Sequence, residues 1–405
     1  MKVENFVKHS NGEKTRVSAT VIWENRDRPN AEVFFETTAE FKDDLVINPN
    51  SWLLACTLPA MRYGESRIKL DAPISPETKD GLVNAIRCLI DWHGGERKTI
   101  AIEAPTQSEI FAPKVNRAAG FFSGDIDTLA MVRENQLNFP PEHPRHIQDG
   151  IVVGNIFTGE NTFDSNLQQE IEHLSAIAKD AKLQLIPVFT NAYTHLKDLD
   201  PDYSFWQLEY MGAFLAAIAH VFAPRLSIAS IASTLNYAYL EPWGSHPLLD
   251  PLYSCNSLEI RHENTALSFR DKVKLVGQWD VALQNLRVCD LPDSKLKNYN
   301  CGRCDRCLKT MTALLSLGLL KQAPLFLKKD VSQELIVNHC SISNTKESNS
   351  YRELIEPLQK IGRHDLADGI NQVIAKHHQK NLAKRGLKPK FSLDALLKLI
   401  KKSNK

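Results

Sequence analysis

A chain of 405 residues, 43% hydrophobic and 24% charged, holds roughly two to three globular domains with ample material for a core. Its net charge of +1 excludes a polyanion binder acting through its whole surface; any basic surface is local. Residues 1–16 carry no apolar core for a signal peptide, and the longest apolar run, 211–223, is too short to span a bilayer and is interrupted by His220, so a cytoplasmic protein with no membrane segment is expected.

Residues 1–112 read as an N-terminal α+β domain. β-Branched and aromatic residues at 16–23 and 31–36 flank a turn-rich segment, as in a hairpin. Apolar residues recur at helical spacing over 51–62 and 76–93, the second helix opened by an N-cap at Ser75 and a proline at its first position. Short strands are expected at 68–70 and 99–102. Cys56 and Cys88 lie on apolar helical faces and read as core.

Residues 113–325 change rhythm. Apolar strands at 118–122, 150–157, 184–189 and 226–231 alternate with helices reaching to 133, at 166–181 and at 205–222. Right-handed βαβ units and a parallel sheet covered on both faces follow. Such sheets bind ligands beyond the carboxyl ends of their strands, where Ser123, Asn191 and Ser233 fall. The first of these strands breaks at Ser123-Gly124 and turns into a helix with Asp127 and Thr128 in its first turn. That arrangement aims backbone N–H groups and the positive helix end at an anion, usually phosphate; an ordinary connection with a Ser/Asp cap reads the same way. A long proline- and aromatic-rich connection, 235–254, precedes a strand at 258–262 and a helix at 268–278 bearing Arg270, Lys272 and Lys274. Another helix is expected at 305–315. Residues 326–405 read as helical and basic, and 376–405 hold ten Lys/Arg against Asp394 alone. A solvated tail is the simpler reading of that stretch; a nucleic-acid or partner-docking patch is the other.

Eight cysteines in a reducing compartment favour metal ligands or buried thiols over disulfides. Cys301, Cys304 and Cys307 stand at two-residue gaps, a spacing at which a tight knuckle turns thiols onto one ion, with Gly302 relieving the backbone. Cys289, twelve positions upstream of Cys301, supplies a fourth thiolate for a closed, structural Zn²⁺ site. A redox cluster, an iron–sulfur site, or three cysteines completed by another residue such as Cys255 are the rival readings.

FFSGDIDTL at 121–129, VFTN at 188–191, PWGSHPLLDPLYS at 242–254, LEIRHEN at 258–264, the Arg270-Asp-Lys272 helix start and NCGRCDRCLKTM at 300–311 together resemble the PP-loop ATP pyrophosphatases, within them the 7-cyano-7-deazaguanine synthase-related (QueC-like) group. The segment before them looks like the leader domain of larger QueC-like proteins. The resemblance implies an adenine-nucleotide-binding α/β domain of the HUP class, with a structural zinc knuckle and a helical C-terminal segment. It implies ATP and Mg²⁺ as cofactors, activation of a small carboxylate of 7-deazaguanine type as its adenylate, and a nitrogen nucleophile that displaces AMP. That nucleophile gives amide and nitrile, or belongs to a protein N-terminus, as in bacterial anti-phage defence. Ser123, Gly124, Asp125, Asp127 and Thr128 would then hold phosphates and Mg²⁺, with 150–154 at the adenine edge. Asn191, Ser245, His246 and Asp250 would join the nucleotide site, and Asp127, His262, Arg270 and Lys272 the chemistry. A homodimer is compatible with all of this, and nucleic acid is not an expected partner. Two positions depart from the group: Asp125 stands where a second glycine is usual, and Tyr193 where an arginine often follows the Thr-Asn pair. A member that binds a nucleotide, modified base or protein partner without catalysis is the alternative.

Overall fold

The computed structural model describes residues 1–95, 97–108, 115–154, 165–289, 299–340, 342 and 345–384; the expected domain boundary at 112/113 and the basic stretch 385–405 lie outside the described residues. By chain contacts the protein divides into two units. The first comprises 1–123, 134–233 and 242–265, and the second 124–133, 234–241 and 266–405.

The first unit is organised by a ten-stranded sheet. β1 (Lys2–Ser10), β2 (Lys14–Ile22) and β3 (Ala31–Thr38) form an antiparallel meander, with β4 (Arg67–Leu70) and β5 (Ala101–Glu103) added in parallel beside β1. β6 (Arg117–Phe121), β7 (Ile147–Gly154), β8 (Gln184–Thr190), β9 (Leu226–Ala232) and β10 (Glu259–Glu263) are all parallel to one another. The order is β10-β9-β6-β7-β8-β3-β2-β1-β4-β5, and β3 joins β8 antiparallel. The parallel half therefore starts at its centre, grows outward through β7 and β8, and returns to the other side of β6 with β9 and β10. That is a doubly wound order, with its switch point at the carboxyl ends of β6 and β9.

Apolar composition drives this packing. α1 (Pro49–Arg62) is buried along nearly its whole length, and Trp52 within it donates its indole N–H to the Val33 carbonyl at 3.2 Å. α2 (Pro76–His93) begins at Pro76 as expected, although the Ser75 hydroxyl donates to Glu77 (2.5 Å) and caps no amide. α3 (Ile126–Asn138) follows β6, and α4 (Ser165–Asp180) links β7 to β8. The helix expected over 205–222 is broken into a π-turn at Trp206–Tyr210 and α5 (Met211–Val221). At the opposite end of the sheet from the switch point, the fully buried Asp149 on β7 accepts paired N–H groups from Arg117 (2.8 and 2.6 Å) and Arg225 (2.8 and 2.9 Å). Three parallel strands are tied there by charge-assisted bonds.

The second unit is helical. It holds the first turns of α3, then α6 (Phe269–Gly277), α7 (Asp280–Gln284), α8 (Asp305–Ser316), α9 (Gln333–His339), α10 (Thr345–Arg352), α11 (Ile355–Lys360) and α12 (His364–Lys384). Val273 and Val276 of α6 and Leu308, Met311 and Leu314 of α8 are buried in its core. Among the described residues no helix is long and apolar enough to cross a membrane.

Candidate functional site

In the first unit, Ser123 is exposed just beyond β6, after Phe122 has closed the strand with an N–H bond to the Ile151 carbonyl at 2.8 Å. Gly150 on β7 is tightly packed: a Cβ would stand 3.0 Å from the Leu185 side chain and 3.3 Å from that of Phe122. Asn191 ends β8 as a clamp, its carbonyl oxygen accepting from the Phe34 amide (2.9 Å) and its NH₂ donating to the Glu32 carbonyl (2.6 Å). Tyr193 is buried against Trp206, ring centroids 4.8 Å apart, and donates its hydroxyl to Asp200 at 2.8 Å. Tyr193 is thus a packing residue.

Ser245, His246, Asp250 and His262 come together in the same unit. Asp250 is completely buried and accepts from the Ser245 hydroxyl (2.7 Å), the His246 amide (3.2 Å) and His262 Nδ1 (2.7 Å). One carboxylate thereby folds the 242–254 connection and orients an imidazole from β10. With Nδ1 donating to Asp250, Nε2 of His262 is left as the acceptor nitrogen, the arrangement that suits a proton acceptor. His246 packs against Trp92 at 4.8 Å, and burial, reinforced by His262, pushes its pKa down. Close approach at Gly212 makes this arrangement possible, since a Cβ there would meet Asp250 Oδ1 at 2.1 Å and the Gly244 carbonyl at 2.9 Å. Gly212→Ala is accordingly expected to destabilise the protein by about 1–3 kcal/mol, the usual overpacking cost, measured by urea denaturation.

In the second unit, Gly124 takes φ +75°, the left-handed conformation that glycine tolerates best. Asp125 then caps α3, accepting from the Thr128 amide (2.9 Å) and the Thr128 hydroxyl (3.1 Å). Burial pushes the Asp125 carboxyl up and the nearby Asp127 charge adds to this; Thr128 and Arg306 work the other way. Asp127 Oδ1 is paired at 2.9 Å with Nζ of Lys272, whose side chain is 0% exposed. Lys272 therefore sits under the first turn of α3 and is no solvated surface cation. Arg270 instead directs its Nε to the Ser316 hydroxyl at 3.3 Å.

A cleft of about 490 Å³, its open mouth included, is lined within this unit by Asp127, Asn236, Tyr239, Phe269, Lys309 and Glu353 among others. Glu353 accepts from the Arg270 amide at 3.2 Å. Burial pushes its pKa up to about 7, and Asp271 adds to this, while the Arg270 amide, the Ser268 hydroxyl and Lys309 oppose it. Nothing in the sequence separates Glu353 from the other acids of the C-terminal helices. Its distinction is a three-dimensional one.

The four cysteines also meet here. The sulfurs of Cys289, Cys301, Cys304 and Cys307 all lie within 4.8 Å of one another. A tetrahedron of thiolates about 2.3 Å from zinc has edges of about 3.8 Å, and Cys301 Sγ lies 3.8 Å from Cys307 Sγ. Two amides point at sulfur, Cys304 N–H to Cys301 (3.3 Å) and Cys307 N–H to Cys304 (3.5 Å), and Gly302 takes φ +64° at the turn. Asn300 secures the upstream arm by accepting from the Val288 amide and donating to the Leu286 carbonyl, both at 2.8 Å. The set could hold a metal ion such as zinc. Cys255 is not part of it: its Sγ lies 3.4 Å from the Ser257 hydroxyl in the first unit. No protein-family model, curated protein or solved structure matches the chain.

Proposed function

We propose that the chain is an ATP-dependent, adenylate-forming enzyme that activates a 7-deazaguanine-type carboxylate for attack by a nitrogen nucleophile, a protein amine in anti-phage defence among the candidates, with a structural zinc knuckle beside its chemistry. The observation that carries this reading is the Asp127–Lys272 pair in the first turn of the helix that follows the central strand of the parallel half-sheet. A buried lysine is expensive to maintain unless it is paired, and buried charge pairs that line a cleft concentrate at functional sites. Bound ATP would supply the leaving group that turns a carboxylate into an acylating agent. Gly124 and the helix start offer the phosphates backbone donors, and Asp127 offers Mg²⁺ a carboxylate. Lys272 would hold that carboxylate in place.

Asp125 favours the second reading, a nucleotide-, base- or partner-binding protein without turnover. Its carboxylate engages the Thr128 amide and hydroxyl that a phosphate would use, and a charge about 4 Å from phosphate costs about 4 kcal/mol at an effective dielectric near 20. ATP–pyrophosphate exchange with 7-carboxy-7-deazaguanine decides between the two. Exchange is expected in the wild type and a loss of about 100-fold or more in Asp127→Ala. A wild type with neither exchange nor ATP binding removes the enzyme reading. Asp125→Gly should tighten nucleotide binding if the carboxylate only repels, and weaken it if the carboxylate ligates Mg²⁺.

A further inference from the structure

We propose that Glu353 is the base that deprotonates the attacking nitrogen, and that the nucleophile reaches the cleft as a cationic primary amine or ammonium ion. This rests on the adenylate-forming reading above. Glu353 faces the same cleft as Asp127 and Lys309, so two carboxylates oppose one cation, and Asp127 already has Lys272. Glu353, its carboxylate steadied by the Arg270 amide, is a counter-charge in the cleft for an incoming ammonium group.

The carboxyl is held by architecture as well as charge. Two residues before it, Tyr351 is buried and donates its hydroxyl to Asp305 Oδ1 at 2.8 Å; Asp305 opens α8 directly after Cys304. The cysteine knuckle thereby fixes the segment that carries Glu353. The groups acting on Glu353 are the Arg270 amide, Ser268 and Asp271 from the start of α6 and Lys309 from α8, with Asp127 of α3 lining the same cleft. Burial and Asp271 together keep the carboxyl near neutrality, where a base is basic enough to take a proton and still ionised often enough to act.

The step balances as follows. R–NH₃⁺ gives one proton to the Glu353 carboxylate and becomes R–NH₂. Its lone pair forms the C–N bond to the acyl carbon, and the C–O bond to AMP breaks with its electrons going to the phosphate oxygen. The second nitrogen proton leaves with the departing phosphate.

The test uses the full-length protein with ATP, 7-carboxy-7-deazaguanine and either ammonium chloride or hydroxylamine, which is already unprotonated at neutral pH. In Glu353→Gln, which preserves shape and an oxygen for the Arg270 amide, amide formation from ammonium is expected to fall roughly 100-fold. Hydroxamate formation should fall far less. The wild-type ammonium reaction should decline below about pH 7, following the Glu353 carboxyl, whereas the variant, left to use free ammonia, should already decline from well above that pH. A variant that treats both nucleophiles alike overturns the assignment. A wild type that yields neither product overturns the adenylate reading itself, a separate and recognisable result.

Discussion

Stripping the metal from this protein with a chelator, or replacing Cys304 by Ser, is expected to collapse the knuckle and the start of α8. Four sulfurs lie within 4.8 Å of one another, an arrangement that a shared cation holds together. Without a cation, the Cys304 sulfur and burial push the Cys307 thiol far up. In small domains built on such sites, zinc contributes about 10–16 kcal/mol of apparent folding free energy. Serine is an informative replacement because it keeps the N-cap of α8, which Cys304 provides by accepting from the Cys307 amide. The effect is then the metal's alone. Metal analysis should give about one zinc per chain in the wild type and far less in Cys304→Ser, with Cys255→Ser unchanged. Far-ultraviolet circular dichroism should show helix lost with the metal. A metal-free protein with full helicity and an unshifted melting temperature would refute the site.

The second large effect is expected at Asp127. Asp127→Asn removes the carboxylate charge paired with the buried Lys272, and breaking a buried pair in this way costs about 3–5 kcal/mol. Asp127→Asn combined with Lys272→Met should recover most of the loss, since an apolar side chain needs no partner. Urea denaturation measures all three proteins. An unaltered midpoint in Asp127→Asn would mean that the pair carries no weight.

The central strands and helices were legible because each carries one clean period: apolar runs at 118–122 and 184–189, amphipathic spacing at 268–278 and 305–315. β1 was not, and its physical reason is a bulge. The register shifts between Glu4 and Val7 with Asn5 at φ +58°, so the alternation that marks a strand is broken in the middle. The break of the 205–222 helix was hidden for a different reason: Trp206, Tyr210 and Phe214 keep an apolar face on both sides of the π-turn. The long-range join of β3 to β8 left no trace in either strand, since pairing partners 150 or so residues apart share no local pattern. At the candidate site, the cysteine spacing announced its cluster. Asp127 and Lys272 were visible as residues, but their pairing across 145 positions was not. Asp125 signals a cap or a phosphate loop with the same letters, and only the direction of its carboxylate tells the two apart.

The antiparallel join of β3 onto β8 has a consequence for how this chain can be cut or recombined. β8 would otherwise be the outermost strand of the parallel half, presenting a bare row of amides and carbonyls to any passing chain. The meander of β1, β2 and β3 shields that row, and carries the exposed frontier away to the three-residue β5. A leader segment exchanged into this architecture would therefore need a strand able to pair with β8, or leave that edge bare.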